Sequence, residues 1–245
     1  MKRKITLFAI VIFISSRLFA SNYYWVGGSG NWSDFSNHWA TTSGGGTFYN
    51  QVPQSTDNVY FDALSFTASG QIVTVDQTIV QCADMTWTGL PTTTPTFYGA
   101  FSDTLRIYGS LALSYGMNFN FYGHINMEAT TIGKTIMTAG VSLSNSILTF
   151  NGIGGWTLQD ALTYVFSIYL NNGTLNTNNQ TVNTLAFYST TTSARALNMG
   201  SSIFNLANYN GNLWTINPIG MTLNAGTSII NGSLSGTGGN FMEED

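Results

Sequence analysis

Four aromatic side chains near the start of the chain could bind a carbohydrate. They lie within the stretch YYWVGGSGNWSDFSNHW, residues 23–39, which contains three of the six tryptophans of the chain. The face of an aromatic ring carries partial negative charge and can stack on the C–H groups of a sugar ring. The candidate carbohydrate-stacking residues are Tyr24, Trp25, Trp32 and Trp39. The structural alternative is a cap in which the same rings are buried, so the exposure of the tryptophans distinguishes the two interpretations.

The glycine-rich turn inside this stretch is similar to an ion-binding loop but lacks the necessary ligands. Residues 27–32 have the sequence GGSGNW, whereas calcium-binding nonapeptide repeats need an aspartate where Trp32 stands. A phosphate loop would need a Gly-Lys-Ser/Thr sequence, which does not follow. The motif DNVYFD places Asp57 and Asp62 on opposite faces of a predicted strand. We therefore predict no metal site; Asp57 forms a turn and Asp62 ends the strand.

A catalytic role has weaker support in the sequence. Glycosidases need two carboxylates across one sugar, and polysaccharide lyases need a base, commonly with a metal and a cation. The acidic residues in the middle of the chain are isolated from one another: Asp76, Asp84, Asp103, Glu128 and Asp160. His124 is predicted to be a surface histidine on the outer face of a strand, and Cys82 a small buried residue. The sequence thus indicates no catalytic residue and no cofactor.

The N-terminal segment 1–20 has the features of a signal peptide. A basic segment, Lys2–Lys4, precedes an apolar segment and a cleavage site at Leu18–Ala20. The apolar segment is too short to span a bilayer as a helix. Cleavage would leave three basic residues, Arg106, Lys134 and Arg195, against eleven acidic ones, which gives a net charge of −8. So few cations cannot follow a phosphate backbone, which excludes nucleic-acid binding, and the mature chain is expected to be secreted or at the cell surface.

The mature chain has the pattern of many short β-strands. In the segments 105–113 and 117–127, apolar side chains alternate with polar ones, which predicts strands with one buried face. Glycine recurs with short aliphatic, Ser/Thr and Asn residues roughly every 20 residues, a degenerate repeat. This repeat predicts an all-β, right-handed parallel β-helix (solenoid) whose coils bury their inward faces against each other. Asparagines clustered at 171–184 favour stacked amide ladders at turns. The alternative fold is a β-sandwich.

Four segments are predicted along the chain. Residues 1–20 are the signal peptide, 21–57 an aromatic and Gly-rich N-terminal cap, 58–235 the solenoid repeats, and 236–245 an acidic tail. The first coil needs a cap because an exposed sheet edge pairs with other chains. The tail offers no closing element for the last coil. We therefore expect either a continuation of the chain in a longer protein or a partner that covers this edge.

These motifs together resemble large secreted surface proteins of Bacteroidetes. The resemblance rests on the opening WVGGSGNWSD with its following HW, on PQSTDNVYFD at 53–62, on VTVD and CADMTW within 73–87, and on repeated NGTL-like units. Such proteins often have a C-terminal sorting domain for type IX secretion, which is not visible before Asp245, and they also resemble autotransporter-like β-helix adhesins. The resemblance implies a right-handed parallel β-helix at or outside the cell surface, with an adhesive or matrix role.

We therefore expect an exported, non-catalytic β-helix module with an adhesive or structural role. Its expected partners are extracellular polysaccharide or another surface protein, and it should have no membrane span after signal cleavage. One alternative is a carbohydrate-binding module that uses the N-terminal aromatics. The other is a polysaccharide lyase or glycosidase.

Overall fold

A computed structural model describes residues 20–90, 94–209, 211–235 and 241–243; the predicted signal peptide up to residue 19 and most of the predicted acidic tail lie outside these ranges. Within them the chain is nearly all β, with one four-residue helix, α1 (Phe35–His38). No described helix is long and apolar enough to cross a membrane. The strands are β1 (Asn22–Trp25), β2 (Gly30–Asn31), β3 (Trp39–Ala40), β4 (Asn58–Phe61), β5 (Ile72–Thr74), β6 (Ile79–Cys82), β7 (Met85–Trp87), β8 (Thr96–Gly99), β9 (Thr104–Ile107), β10 (Leu111–Ala112), β11 (Asn118–Phe121), β12 (His124–Met127), β13 (Lys134–Met137), β14 (Leu143–Phe150), β15 (Gly155–Leu158), β16 (Leu162–Leu170), β17 (Gly173–Asn176), β18 (Thr181–Ser189), β19 (Arg195–Asn198), β20 (Ile203–Asn208), β21 (Trp214–Ile216), β22 (Met221–Asn224), β23 (Ile229–Leu234) and β24 (Phe241–Glu243).

The strands form three parallel sheets that wind into a solenoid of about seven coils. The first sheet has the order β3-β1-β4-β7-β10-β13-β15-β17-β19-β22, the second β2-β5-β8-β11, and the third β6-β9-β12-β14-β16-β18-β20-β23. Beside the third sheet, β21 pairs with β18 and with β24. Among the described strands, only β1 and β3 pair antiparallel. The predicted all-β solenoid is confirmed, because a β-sandwich would consist of antiparallel sheets.

Corners divide the alternating segments of the sequence into shorter strands. The segments 105–113 and 117–127 hold parts of four strands, β9 to β12, where two were predicted. The inward positions nevertheless persist through the corners, and all the apolar residues of the two patterns are buried: Leu105, Ile107, Leu111, Leu113, Met117, Phe119, Phe121, Ile125 and Met127. A Cβ at the corner residue Gly123 would overlap the backbone carbonyl oxygen of Asp103, so the close stacking of coils requires glycine there.

The coils differ in length while their cores stay in register. In the first sheet Val59 pairs with Met85, whereas in a later coil Thr157 pairs with Asn176, a shorter interval in the sequence. Longer coils have corner loops, such as residues 62–71 between β4 and β5. Shorter coils replace two strands and their corner by one long strand, as in β16. The uneven glycine spacing in the sequence follows from these two kinds of coil.

Columns of like side chains run along the solenoid, inside and outside. Leu175 and Leu197 are register partners in an inward column and are at most 1% exposed. On the outer face, the Asn205 side-chain amide donates to Oδ1 of Asn183 at 2.8 Å, and that of Asn231 donates to Asn205 at 2.9 Å. Amide ladders are therefore present as predicted, although this one lies on the strands β18, β20 and β23 and not at turns.

A buried arginine stabilises one corner of the later coils through hydrogen bonds. Arg195 is 3% exposed, and each of its five N–H groups has an acceptor. The acceptors are the hydroxyl of Ser189 and the backbone carbonyls of Ser189, Ser193, Asn217 and Ile219, at distances of 2.6–2.9 Å. Burial lowers the pKa of the Arg195 guanidinium, but an arginine stays charged at neutral pH. This side chain therefore links the end of β18, the start of β19 and the loop before β22.

The two ends of the solenoid differ. At the N-terminal end, β1 and β2 extend the first and second sheets by pairing in parallel with β4 and β5. The predicted cap segment thus continues the coils and adds the antiparallel strand β3 to them. At the other end, Leu223 is the register partner of the buried Leu197, yet it is 45% exposed. The described part of the last coil therefore exposes inward-facing residues.

Cys82 gives a simple chemical test of this packing. Its thiol is fully buried, as predicted, and burial raises the pKa of Cys82 well above its usual value, with a smaller contribution from Asp84. Because the thiolate is the reactive form, we expect no reaction of the folded protein with a disulfide reagent such as DTNB at about pH 8, close to the ordinary thiol pKa of about 8.5. Complete reaction should follow in denaturant. Rapid labelling of the folded protein would contradict the burial.

Candidate functional site

The structure buries the three tryptophans of the predicted stacking surface. Trp25, Trp32 and Trp39 are each 0% exposed, whereas Tyr24 is partly exposed. The prediction that these tryptophans present their faces to a ligand is therefore wrong. They pack on each other instead: the centroid of the Trp39 ring lies 5.0 Å from that of Trp25 and 4.7 Å from that of Trp32, in edge-to-face geometry. Tyr24 stacks on Tyr60 of the first full coil, with ring centroids 4.9 Å apart.

Two of the three indole N–H groups donate hydrogen bonds that fix this aromatic cluster. Nε1 of Trp25 donates to the Gly28 carbonyl at 2.7 Å, and Nε1 of Trp39 donates to the Trp32 carbonyl at 2.9 Å. The His38 ring stacks on Trp25 with a centroid distance of 4.5 Å. Gly28 has φ = +76°, a conformation that side chains rarely adopt, so the glycine-rich turn folds the chain back over Trp25. The stretch 23–39 therefore has the buried packing of a cap.

The aspartates of the coils bind backbone amides. Asp57 accepts from the Gln54 amide at 2.9 Å and Asp62 from the Leu64 amide at 2.9 Å. As predicted, Asp57 lies in a turn and Asp62 directly follows the end of β4. Asp84 accepts from the Ser110 amide at 2.7 Å and thereby joins two coils. Other carboxylates in the same kind of contact are Asp76, Asp103 and Asp160. Within the described ranges, no three His, Cys, Asp or Glu side chains are placed to hold a metal ion.

Exposed aromatic side chains gather at one corner, between the second and third sheets. Phe101 is 74% exposed, Tyr122 43% and Phe166 45%. Together with Asn145 and Ile147, these rings line a groove with a volume of about 160 Å³. We call these five residues the aromatic corner.

Backbone pairing brings the aromatic corner together from four successive coils. The Tyr122 amide donates to the Gly99 carbonyl at 3.0 Å, so Tyr122 lies against the corner that contains Phe101. The Ile147 amide donates to the Gly123 carbonyl at 3.2 Å and adds the next coil. The pairing of β14 with β16 is irregular between Leu143 and Ile147, and residues 144–146 lie opposite Phe166 alone. The irregularity places Phe166 at the corner, where its ring is exposed.

The side chains that line the groove are uncharged. Tyr98, which is 41% exposed, extends the surface on one side; its ring centroid is 6.3 Å from that of Tyr122, and the two ring planes are inclined at 65°. On the other side, His124 is the register partner of Ile147 and lies half-buried on the outer face of β12, as predicted. Aromatic faces can stack on an apolar ring face, and the Asn145 amide can both donate and accept hydrogen bonds. This combination suits a neutral, hydroxylated ligand.

None of the aromatic-corner residues was among the predicted site residues. One signal for them was present: Tyr122 is a large aromatic residue at an outward position of the alternating segment 117–127. Phe101 and Phe166 are far apart in the sequence, and only the register of the coils brings them to one groove.

Comparison with protein-family models, with curated proteins and with solved structures finds no match to this chain.

Proposed function

We propose that this protein is an exported, non-catalytic β-solenoid that attaches to neutral polysaccharide through the aromatic corner. The observation that supports the proposal best is the convergence of three exposed aromatic rings on one groove beside an amide side chain. Exposed apolar clusters on the surface of a folded protein mark interaction sites, since they are otherwise unfavourable in water. The solenoid would act as a rigid support that displays this site, which gives it an adhesive role.

Charge argues for a neutral glycan as the ligand. Charged residues make up only 7% of the chain, and the five residues of the aromatic corner are uncharged. A uronic-acid polymer would need cations at its carboxylates, and none of the three basic residues of the predicted mature chain, Arg106, Lys134 and Arg195, lines the groove. A neutral polymer needs only ring stacking and hydrogen bonds to hydroxyl groups.

The positions of the carboxylates favour binding without catalysis. Six aspartates accept hydrogen bonds from backbone amides, as described above, so their carboxylate oxygens already hold turns and join coils. A glycosidase needs instead two carboxyl groups that both face one sugar. The aspartates thus serve the turns of the solenoid.

Replacing Tyr122 or Phe101 with alanine should weaken polysaccharide binding about tenfold each, which is the usual effect of removing one central aromatic contact. The assay is co-sedimentation and affinity electrophoresis with β-1,4-glucan, β-1,4-mannan, β-1,4-xylan and β-1,3-glucan. Tyr115→Ala is the matched control, because Tyr115 is 86% exposed at a different corner and does not line the groove. The control should bind like the unmodified protein.

Two results would overturn the proposal. One is the absence of binding to all four neutral polysaccharides and to a wider glycan array. The other is binding that survives both alanine substitutions at full strength. Circular dichroism of each variant verifies that the fold is kept. A protein ligand, detected while no glycan binds, would replace the polysaccharide assignment.

A further inference from the structure

The aromatic corner is elongated along the solenoid axis. Phe101, Tyr122, Asn145 and Phe166 come from four successive coils, one residue from each, and all four line the same groove. Neighbouring parallel strands are about 4.8 Å apart. The line from Phe101 to Phe166 therefore crosses three inter-coil steps, about 14 Å. One sugar ring cannot contact both ends of this line.

We infer that the groove binds a glycan lengthwise, with the polymer parallel to the solenoid axis and about one sugar unit over each coil. This inference rests on the proposed function. The step between coils is similar to the length of one hexose unit in an extended polysaccharide, so successive units meet successive coils. Rings at Phe101 and Tyr122 stack on two adjacent units. In the third coil this position is occupied by Asn145 and not by an aromatic residue, and its amide forms hydrogen bonds with hydroxyl groups of the third sugar unit. Phe166 stacks on the fourth unit.

The coils on either side limit the length of the site. In the coil before Phe101, the same corner contains the polar residues Asp76, Gln77 and Thr78. Their position follows from the Thr104 amide, which donates to the Thr78 carbonyl at 2.8 Å. In the coil after Phe166, register places the half-buried Leu185 at this corner. The aromatic corner thus spans four coils, which sets the expected ligand length at four units.

The test uses oligosaccharides of one to six units from each of the four neutral polysaccharides named above, titrated calorimetrically into the full chain. Affinity should rise by at least about tenfold from one unit to four units and then stay level, since each added unit gains one contact until the aromatic corner is filled. Phe166→Ala should remove the gain between three and four units, which the Phe166 ring supplies, while affinity for the two-unit ligand stays unchanged. Tyr115→Ala should leave the whole length dependence unaltered.

The failure of this inference and that of the proposed function give different results. If one-unit and four-unit ligands bind equally tightly, or if Phe166→Ala weakens the two-unit and four-unit ligands by the same factor, the lengthwise orientation is wrong and polysaccharide binding stands. If no oligosaccharide and no polysaccharide binds, both are wrong. A continued rise in affinity from four to six units would also contradict the four-coil site, because it would require contacts beyond the aromatic corner.

Discussion

Trp39→Ala should lower the free energy of unfolding by about 4 kcal/mol, within the range of about 3–5 kcal/mol for deleting a buried tryptophan side chain. Trp39 is 0% exposed, and its ring contacts Tyr23, Trp25, Trp32 and Phe61, with centroids 4.7–6.1 Å away. The substitution removes these contacts and leaves a cavity. It also removes the hydrogen bond that Nε1 of Trp39 donates to the Trp32 carbonyl. The cap should therefore unfold at lower urea concentration than in the unmodified protein.

The measurement is urea unfolding followed by circular dichroism and tryptophan fluorescence. Tyr115→Ala serves as the control, because it also removes a large aromatic side chain, but one that is 86% exposed. Exposed substitutions of this kind change stability by about 0.5 kcal/mol or less. Equal stability of the Trp39→Ala and Tyr115→Ala variants would contradict the burial of the cap.

Gly173→Ala should destabilise the protein by about 3 kcal/mol, because alanine is unfavourable there for two separate reasons. The residue has φ = +68°, which costs about 1–2 kcal/mol for an L side chain. In addition, the new Cβ would lie 2.5 Å from the Gly152 carbonyl oxygen and closer still to that of Gly154, both in the preceding coil. Such overpacking against backbone adds about 1–3 kcal/mol.

Gly140→Ala separates the two contributions. Gly140 also has a positive φ, +78°, but a Cβ there would meet nothing within 4 Å. This control should lose only the cost of the backbone conformation. The difference between the two variants in thermal or urea unfolding then measures how tightly the corners of adjacent coils stack. A Gly173→Ala variant no less stable than Gly140→Ala would show that the coils can move apart at this corner without cost.

The inward face of the coils could be predicted because it depends only on local alternation. In 117–127, each apolar position of the pattern is buried in the structure, from Met117 to Met127. The cap could also be anticipated from its aromatic composition, although Trp25 and Trp32 alone do not reveal whether they are exposed. Burial of these rings depends on how β1 and β2 pair with the first coil, which is a tertiary property.

The aromatic corner could not be predicted, because its residues meet through register. The coils differ in length and have no fixed period, so the sequence distance between Tyr122 and Phe166 does not show that they share a corner. The irregular pairing between β14 and β16 adds to this uncertainty, since it changes which residue of each strand points outward. An outward aromatic such as Tyr122 was the only local indication of a binding surface.

The variable corner loops have a consequence for how such a protein can change over time. The loop 62–71 lengthens its coil, yet Val59 and Met85 remain register partners on either side of it. Because the cost of closing a loop grows only slowly with its length, an exposed part of a corner can accept an insertion while the strands on either side keep their register. New peptides could be grafted at a corner beside the aromatic residues. Natural variants could likewise acquire different ligand preferences by exchanging loops on a common framework.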